Sequence, residues 1–300
     1  MINQAARSQH VSGSQSSHDR PRIVLALLFG LLSVTLYWAP ITTLATLAAG
    51  DDRYTHILLI PFLSAGLIYM DRQRILAASG YNLGVGLPLV ALGISFSLLA
   101  WLPALSEQYR LPILILGLVV IWWGGLAMFF GSRALRAGAF PLAFLLLMIP
   151  IPVFVLSRMV AGLQEGSAQI SSILFKLIHV PNFREDLEFS LPGVRIRIAE
   201  QCSGIRSSQS LFIMTILAGH IFLRSAWKTA LVSLFTVPLT IFKNAVRIVT
   251  LSTLAVYVNR DFLYGNLHHY GGLVFSLLDL LILIPLIAWR RVEKRPPLPS

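Results

Sequence analysis

Eight times along this chain, polar sequence gives way to an apolar run on the order of 20 residues, the length of helix that crosses about 30 Å of hydrocarbon. The runs cover residues 23–44, 54–70, 83–102, 111–130, 137–156, 205–223, 229–249 and 271–289. The second is the shortest, with 14 uncharged, mostly apolar residues after His56. Only 12% of the residues are charged, against roughly 25% in a soluble domain. The fold class this predicts is an all-α polytopic membrane protein with about eight transmembrane helices, to which the longest outer segment adds an amphipathic helix and a short β-hairpin.

An even number of crossings puts both termini on one side, and the loops say which. One set of alternate loops holds thirteen basic residues: Arg7, Arg20, Arg22, Arg72, Arg74, Arg133, Arg136, Arg224, Lys228, Arg290, Arg291, Lys294 and Arg295. The short loops of the other set hold three, Arg53, Arg110 and Arg260, and its long segment adds Arg158, Lys176, Arg184, Arg195 and Arg197. Long segments weigh little in orientation, so the bias makes both termini cytoplasmic. The same distribution accounts for the net charge of +11 as topology, with no nucleic-acid partner implied. Residues 1–22 are polar and Ser-rich, and no small-residue cleavage site follows, so they read as a disordered cytoplasmic tail and not as a signal peptide. A transmembrane domain over 23–290 and a basic cytoplasmic tail over 291–300 complete the expected organisation.

The long segment, 157–201, faces outward. Residues 158–178 have the period of an amphipathic helix lying at the interface. Then Leu187-Glu-Phe-Ser-Leu191, Pro192-Gly193 and Val194-Arg-Ile-Arg-Ile198 alternate as a hairpin. A two-residue loop pairs Leu191 with Val194, Phe189 with Ile196 and Leu187 with Ile198, which gathers the apolar residues on one face and sets Glu188 opposite Arg197 on the other. Pro-Gly is not the turn such hairpins favour.

Cys202 is the one cysteine in the chain, so it forms no internal disulfide, and a lone thiol is too few for most metal sites. It stands in Glu200-Gln-Cys-Ser-Gly-Ile-Arg206, immediately before the sixth run. A thiol at a helix N-terminus has its pKa lowered by unpaired amides and the macrodipole, and Arg206 follows one helical turn on. Arg247, in Asn244-Ala-Val-Arg247, is about 19 residues into the seventh run, or about 28 Å along a helix, which is the outer end. Lys243 lies one turn earlier on the same side. Intramembrane cations mark function by default, the alternative being a snorkelling interfacial arginine. His268 and His269, in Leu267-His-His-Tyr-Gly-Gly272, stand on the outer side before the eighth run and have the chemistry of a general acid or base. Taken alone they are equally an interfacial pair or a weak metal site. Asp279 comes three turns after His268 and would offset a cation or orient the imidazole. Tyr54-Thr55-His56, at the outer start of the second run, is a further polar cluster whose tyrosine also suits an aromatic belt. A thiol, a guanidinium and an imidazole thus fall at one membrane face from three distant elements.

These motifs, Glu200-Gln-Cys-Ser-Gly-Ile-Arg206, Asn244-Ala-Val-Arg247 and His268 with Gly272 and Phe275, resemble those of the exosortase/archaeosortase family, in its bacterial Cys-Arg-His form. Tyr54-Thr55-His56 is similar to that family's Tyr-Ser-His-Gly segment, with Thr55 for Ser and Ile57 for Gly. The resemblance implies a nucleophile at Cys202, an essential arginine at Arg247 and a third catalytic residue at His268, with His269 as the other candidate base. Arg206, Lys243, Asn244, Asp279, Tyr54 and His56 become supporting or substrate-binding candidates, and no metal or cofactor is implied. The substrates implied are exported proteins ending in a Pro-Glu-Pro-like motif, a transmembrane helix and a basic tail, processed at the periplasmic face of the inner membrane. The other reading of the residues is a non-enzymatic transporter or assembly subunit of exopolysaccharide export. A transporter would place its polar groups at the bilayer midplane, often with inverted repeats.

Overall fold

The computed structural model describes residues 21–77, 80–200, 203–223 and 225–263. Cys202, His268, His269, Asp279, the eighth apolar run and both tails beyond these limits lie outside the described residues. The chain divides into two compact units, Met1–Val153 and Phe154–Ser300.

In the first unit α1 (Pro21–Leu36) and α2 (Trp38–Gly50) meet at an angle of 71° at Tyr37. The sequence pattern predicts a single helix over 23–44, and Pro40 explains the difference. Proline has no N–H to donate to the Leu36 carbonyl four residues back, and its ring crowds that carbonyl. A 3₁₀ turn, Thr55–Leu58, then leads into α3 (Ile60–Met70), followed by α4 (Arg72–Ala77). Next come α5 (Leu83–Leu99) and the long α6 (Glu107–Ala137), whose helical geometry is interrupted at Gly131 (φ 88°).

The α5–α6 pair is the spine of this unit, and glycine makes it close. A Cβ on Gly93 would lie 2.6 Å from the Gly117 carbonyl oxygen, and one on Gly86 would lie 2.6 Å from the Met128 Cβ. Small residues that let backbones touch in this way are how apolar helices associate without a hydrophobic driving force. Trp122 Nε1 donates to Ser33 Oγ at 2.8 Å, joining α6 to α1, and Ser64 Oγ donates to the Pro141 carbonyl at 2.7 Å.

The run 137–156 is likewise not one helix. It comprises α7 (Ala139–Phe144) and a 3₁₀ turn (Leu145–Met148), then Ile149-Pro-Ile-Pro152, before α8 (Val153–Leu177) begins. Each proline removes a donor and drives its predecessor out of helical geometry, as the extended backbone of Ile149 records (φ −74°, ψ 120°). Among the described residues, α6 and α10 (Ala226–Tyr257) are long and apolar enough to cross a membrane. The number rises to four if α1–α2 and the pair on either side of Ile149–Pro152 each count as one span. The chain is a helical membrane protein.

The second unit opens on α8, whose apolar face buries Leu156, Val160, Leu163, Ser167, Ala168, Ser171 and Phe175 at helical spacing. The amphipathic helix expected over 158–178 is thus present and starts five residues earlier. It ends in a Schellman motif: His179 takes a left-handed φ of 57°, its N–H reaches the Lys176 carbonyl, and the Val180 N–H reaches that of Phe175.

A three-stranded antiparallel sheet follows, ordered β1 (Phe183–Glu185), β2 (Glu188–Leu191) and β3 (Val194–Arg197). The β2–β3 register pairs Leu191 with Val194, Phe189 with Ile196 and Glu188 with Arg197, as the alternation predicts. Gly193, at φ 74°, supplies the positive φ that a Pro-Gly turn needs at its second residue. The apolar face of the sheet packs Phe189, Leu191 and Ile198 with Ala168 and Phe175 of α8 and Val249 of α10. α9 (Ile205–Ala218) runs into a π-helical turn, Gly219–Leu223, and α10 continues to Tyr257, eight residues past the expected end of the seventh run.

Candidate active site

Around Cys202 the chain is turned by its described neighbours. The Ser203 N–H donates to the Glu200 carbonyl at 3.0 Å, and Ser203 Oγ accepts from the Ile205 N–H at 3.3 Å. Gly204 sits in the left-handed region (φ 80°), where a side chain would be strained, and caps α9. The cap lies against α10: a Cβ on Gly204 would rest 3.4 Å from Thr240 Cγ2 and 3.7 Å from Asn244 Cγ.

Polar contacts hold α10 to both neighbouring elements. Lys243 Nζ donates to Ser207 Oγ at 2.8 Å, and Ser207 Oγ in turn donates to the Gly204 carbonyl at 3.0 Å. Asn244 Nδ2 donates to Ser167 Oγ at 3.0 Å, tying α10 to α8. Lys243 is 6% exposed and Asn244 2%. Arg247, half-buried, stands one turn further along the same continuous helix, and Arg206 is exposed in the first turn of α9. The structure therefore brings the segment after Cys202 onto the residues before Arg247. Beyond Arg247, Ile248, Val249 and Val256 pack under the sheet, so this part of α10 supports the hairpin.

The sheet is tethered to α8 by polar contacts as well. Gln164 Nε2 donates to the Ile198 carbonyl at 2.8 Å, and Arg184 pairs with Glu165 at 2.7 Å. The strand that leads toward residue 202 is thereby held at its end. Neither Ser167 nor Ser207 stands out in the sequence, because a serine in a helix looks like filler. The signal was the spacing: Ser167 and Ser171 interrupt the apolar face of α8 on the side that is buried.

Tyr54 and His56 belong to the first unit. Tyr54 is 4% exposed and its hydroxyl donates to the Ile151 carbonyl at 2.9 Å, inside the proline-broken segment whose backbone lacks helical partners. Beside it, the Arg53 guanidinium hydrogen-bonds Asp51 and holds that carboxyl below the usual carboxylate range, against a smaller opposing effect of burial. His56 is partly buried in the 3₁₀ turn. Among the described residues no group of three or more His, Cys, Asp or Glu side chains is arranged to hold a metal.

The model of the transmembrane exosortase family matches residues 45–285, most of the chain. The chain belongs to the transmembrane exosortase family. Comparisons with curated proteins and with solved structures give no match. The match spans both units of this exosortase, from the end of α2 through the cysteine, arginine and histidine motifs.

Proposed function

We propose that this exosortase is a membrane-embedded cysteine transpeptidase that cleaves the C-terminal sorting signal of exported proteins at the periplasmic face. The observation that carries the reading is the packing of Ser203–Ser207, the residues that follow Cys202, on Lys243 and Asn244, one turn from Arg247. In this reading eight spans set both termini in the cytoplasm of the inner membrane, with α8 and the sheet on the periplasmic side. The substrate's helix docks beside the spans, its basic tail is cytoplasmic, and its Pro-Glu-Pro-like motif meets Cys202.

The thiolate of Cys202 attacks the scissile carbonyl. A carbon–sulfur bond forms, the peptide carbon–nitrogen bond breaks, and the amine leaves with the released helix after taking a proton from His268 or His269. Arg247 stabilises the oxyanion with its planar fork of donors. An acceptor nucleophile, or water, then gives up its proton to the same histidine and opens the thioester. Arg206, Lys243 and Asn244 frame the site, Asp279 balances its cations, and Tyr54 and His56 hold the second span. The transporter reading is not favoured: exosortase membership argues against it, and the clustered motifs need no midplane path.

The test is processing of a co-expressed protein carrying such a tail, followed by its change in mass. Cys202→Ala is expected to lower processing by about 10⁴-fold or more while the protein still inserts. Arg247→Lys is expected to lower it by about 10²–10³-fold, because an ammonium cannot replace the fork. Undiminished processing by Cys202→Ala would overturn the proposal.

A further inference from the structure

Six buried polar atoms among the described residues have no hydrogen-bond partner, and all six belong to the second unit: Ser171 Oγ, Gln209 Nε2, Thr215 Oγ1, Ser233 Oγ, Thr240 Oγ1 and Thr253 Oγ1. Four of them are on side chains that are 0–3% exposed, namely Ser171, Thr215, Ser233 and Thr240. Thr215 of α9 and Ser233 and Thr240 of α10 lie on helix faces that pack together. α9 and α10 run antiparallel, since Gly204 faces Thr240 and Asn244 while Gly219 faces Thr229. Thr215, one turn before Gly219, is therefore level with Ser233, one turn after Thr229. Ser171 is one turn along α8 from Ser167, the partner of Asn244.

Helical Ser and Thr hydroxyls have an easy local solution, a bond to a carbonyl three or four residues back. On α10 itself Thr229, Thr236 and Ser252 use it. Ser233 and Thr240 do not. Buried polar groups in native proteins are satisfied, and where no side chain serves, an internal water does. Such a water needs polar partners, and Thr215 and Ser233 offer them from facing helices at one level, with Thr240 beside the Gly204 cap at the other.

We propose that the interior between α8, α9 and α10 is a water-binding seam, running from the level of Thr215 and Ser233 past Thr240 to the Lys243–Asn244 junction. Ser233 to Thr240 is about 10 Å along the helix, at 1.5 Å per residue, so the seam is a short file of waters and not a single one. Its ligand is water, and its consequence is a hydrated, proton-exchanging interior directly behind the proposed site. The seam rests on the orphaned hydroxyls alone and stands whether or not Cys202 is a nucleophile.

Radiolytic hydroxyl-radical footprinting of the full chain in lipid nanodiscs tests it, because bound waters generate radicals that oxidise the side chains beside them. Leu211 and Leu239, buried and adjoining Thr215 and Thr240 in their helices, are the reporters, with Leu44 and Ile121 of the first unit as equally buried dry controls. The expected result is oxidation of Leu211 and Leu239 at least tenfold faster than of the controls, with label from ¹⁸O water, in wild type and in Cys202→Ala alike. Ser233→Ala with Thr240→Val is expected to reduce labelling at Leu239 several-fold in protein that elutes as wild type. Labelling of the reporters no faster than the controls, or unchanged in the double variant, would overturn the seam.

Discussion

The two units are both built from apolar helices, yet their interiors are of different kinds. In the first, the buried polar side chains among the described residues are Ser33 and Ser64, and each is hydrogen-bonded. Its helices meet backbone to backbone at Gly86, Gly93, Gly117 and Gly124. In the second, eleven buried polar side chains are spread over α8, α9, α10 and the Ser203 cap, including a lysine and an asparagine. A buried hydroxyl left without a partner costs about 1–3 kcal/mol, the cost that the proposed waters offset. On the proposed function, the first unit is close-packed support and the second carries the polar residues that would frame the site.

The contrast can be broken most severely at Gly93. Gly93→Leu forces a side chain into the Gly117 backbone, and the cost of overpacking is about 1–3 kcal/mol or more. The expected outcome is a large drop in melting temperature in detergent, with unchanged specific activity in the fraction that remains folded. A loss of specific activity at full stability would mean that the first unit does more than support.

Asn244→Ala sharpens the other half. It removes the donor to Ser167 across the α8–α10 contact, at about 1–3 kcal/mol. Because Arg247 is one turn away on the same helix, processing is expected to fall further than the melting temperature explains. Equal losses in the two measurements would reduce Asn244 to a packing residue.

How much of this was legible in the sequence depended on what kind of signal each element leaves. The β2–β3 register followed from strict alternation about a two-residue loop, since a slip by one residue would turn Phe189 and Ile196 to the wrong face. α6 and α10 followed from hydropathy. The same measure misread the first and fifth runs, because a hydropathy window averages over Pro40, Pro150 and Pro152, which break helices without making a segment polar. β1, three residues long, is too short for any periodicity. The approach of the cysteine motif to the arginine motif was expected from counting residues to one membrane face. The contacts that make it, Lys243 to Ser207 and Asn244 to Ser167, join residues far apart in sequence, and only the fold reveals them.

The central claim is covalent catalysis by Cys202, and the direct measurement is mass spectrometry of the enzyme quenched in acid during turnover of a protein bearing the sorting tail. The account predicts an adduct on the peptide containing Cys202, equal in mass to the substrate's N-terminal fragment less water, released by neutral hydroxylamine and absent from Cys202→Ala. Continued processing by wild type and by Cys202→Ala alike, with no hydroxylamine-sensitive adduct on that peptide, would contradict it.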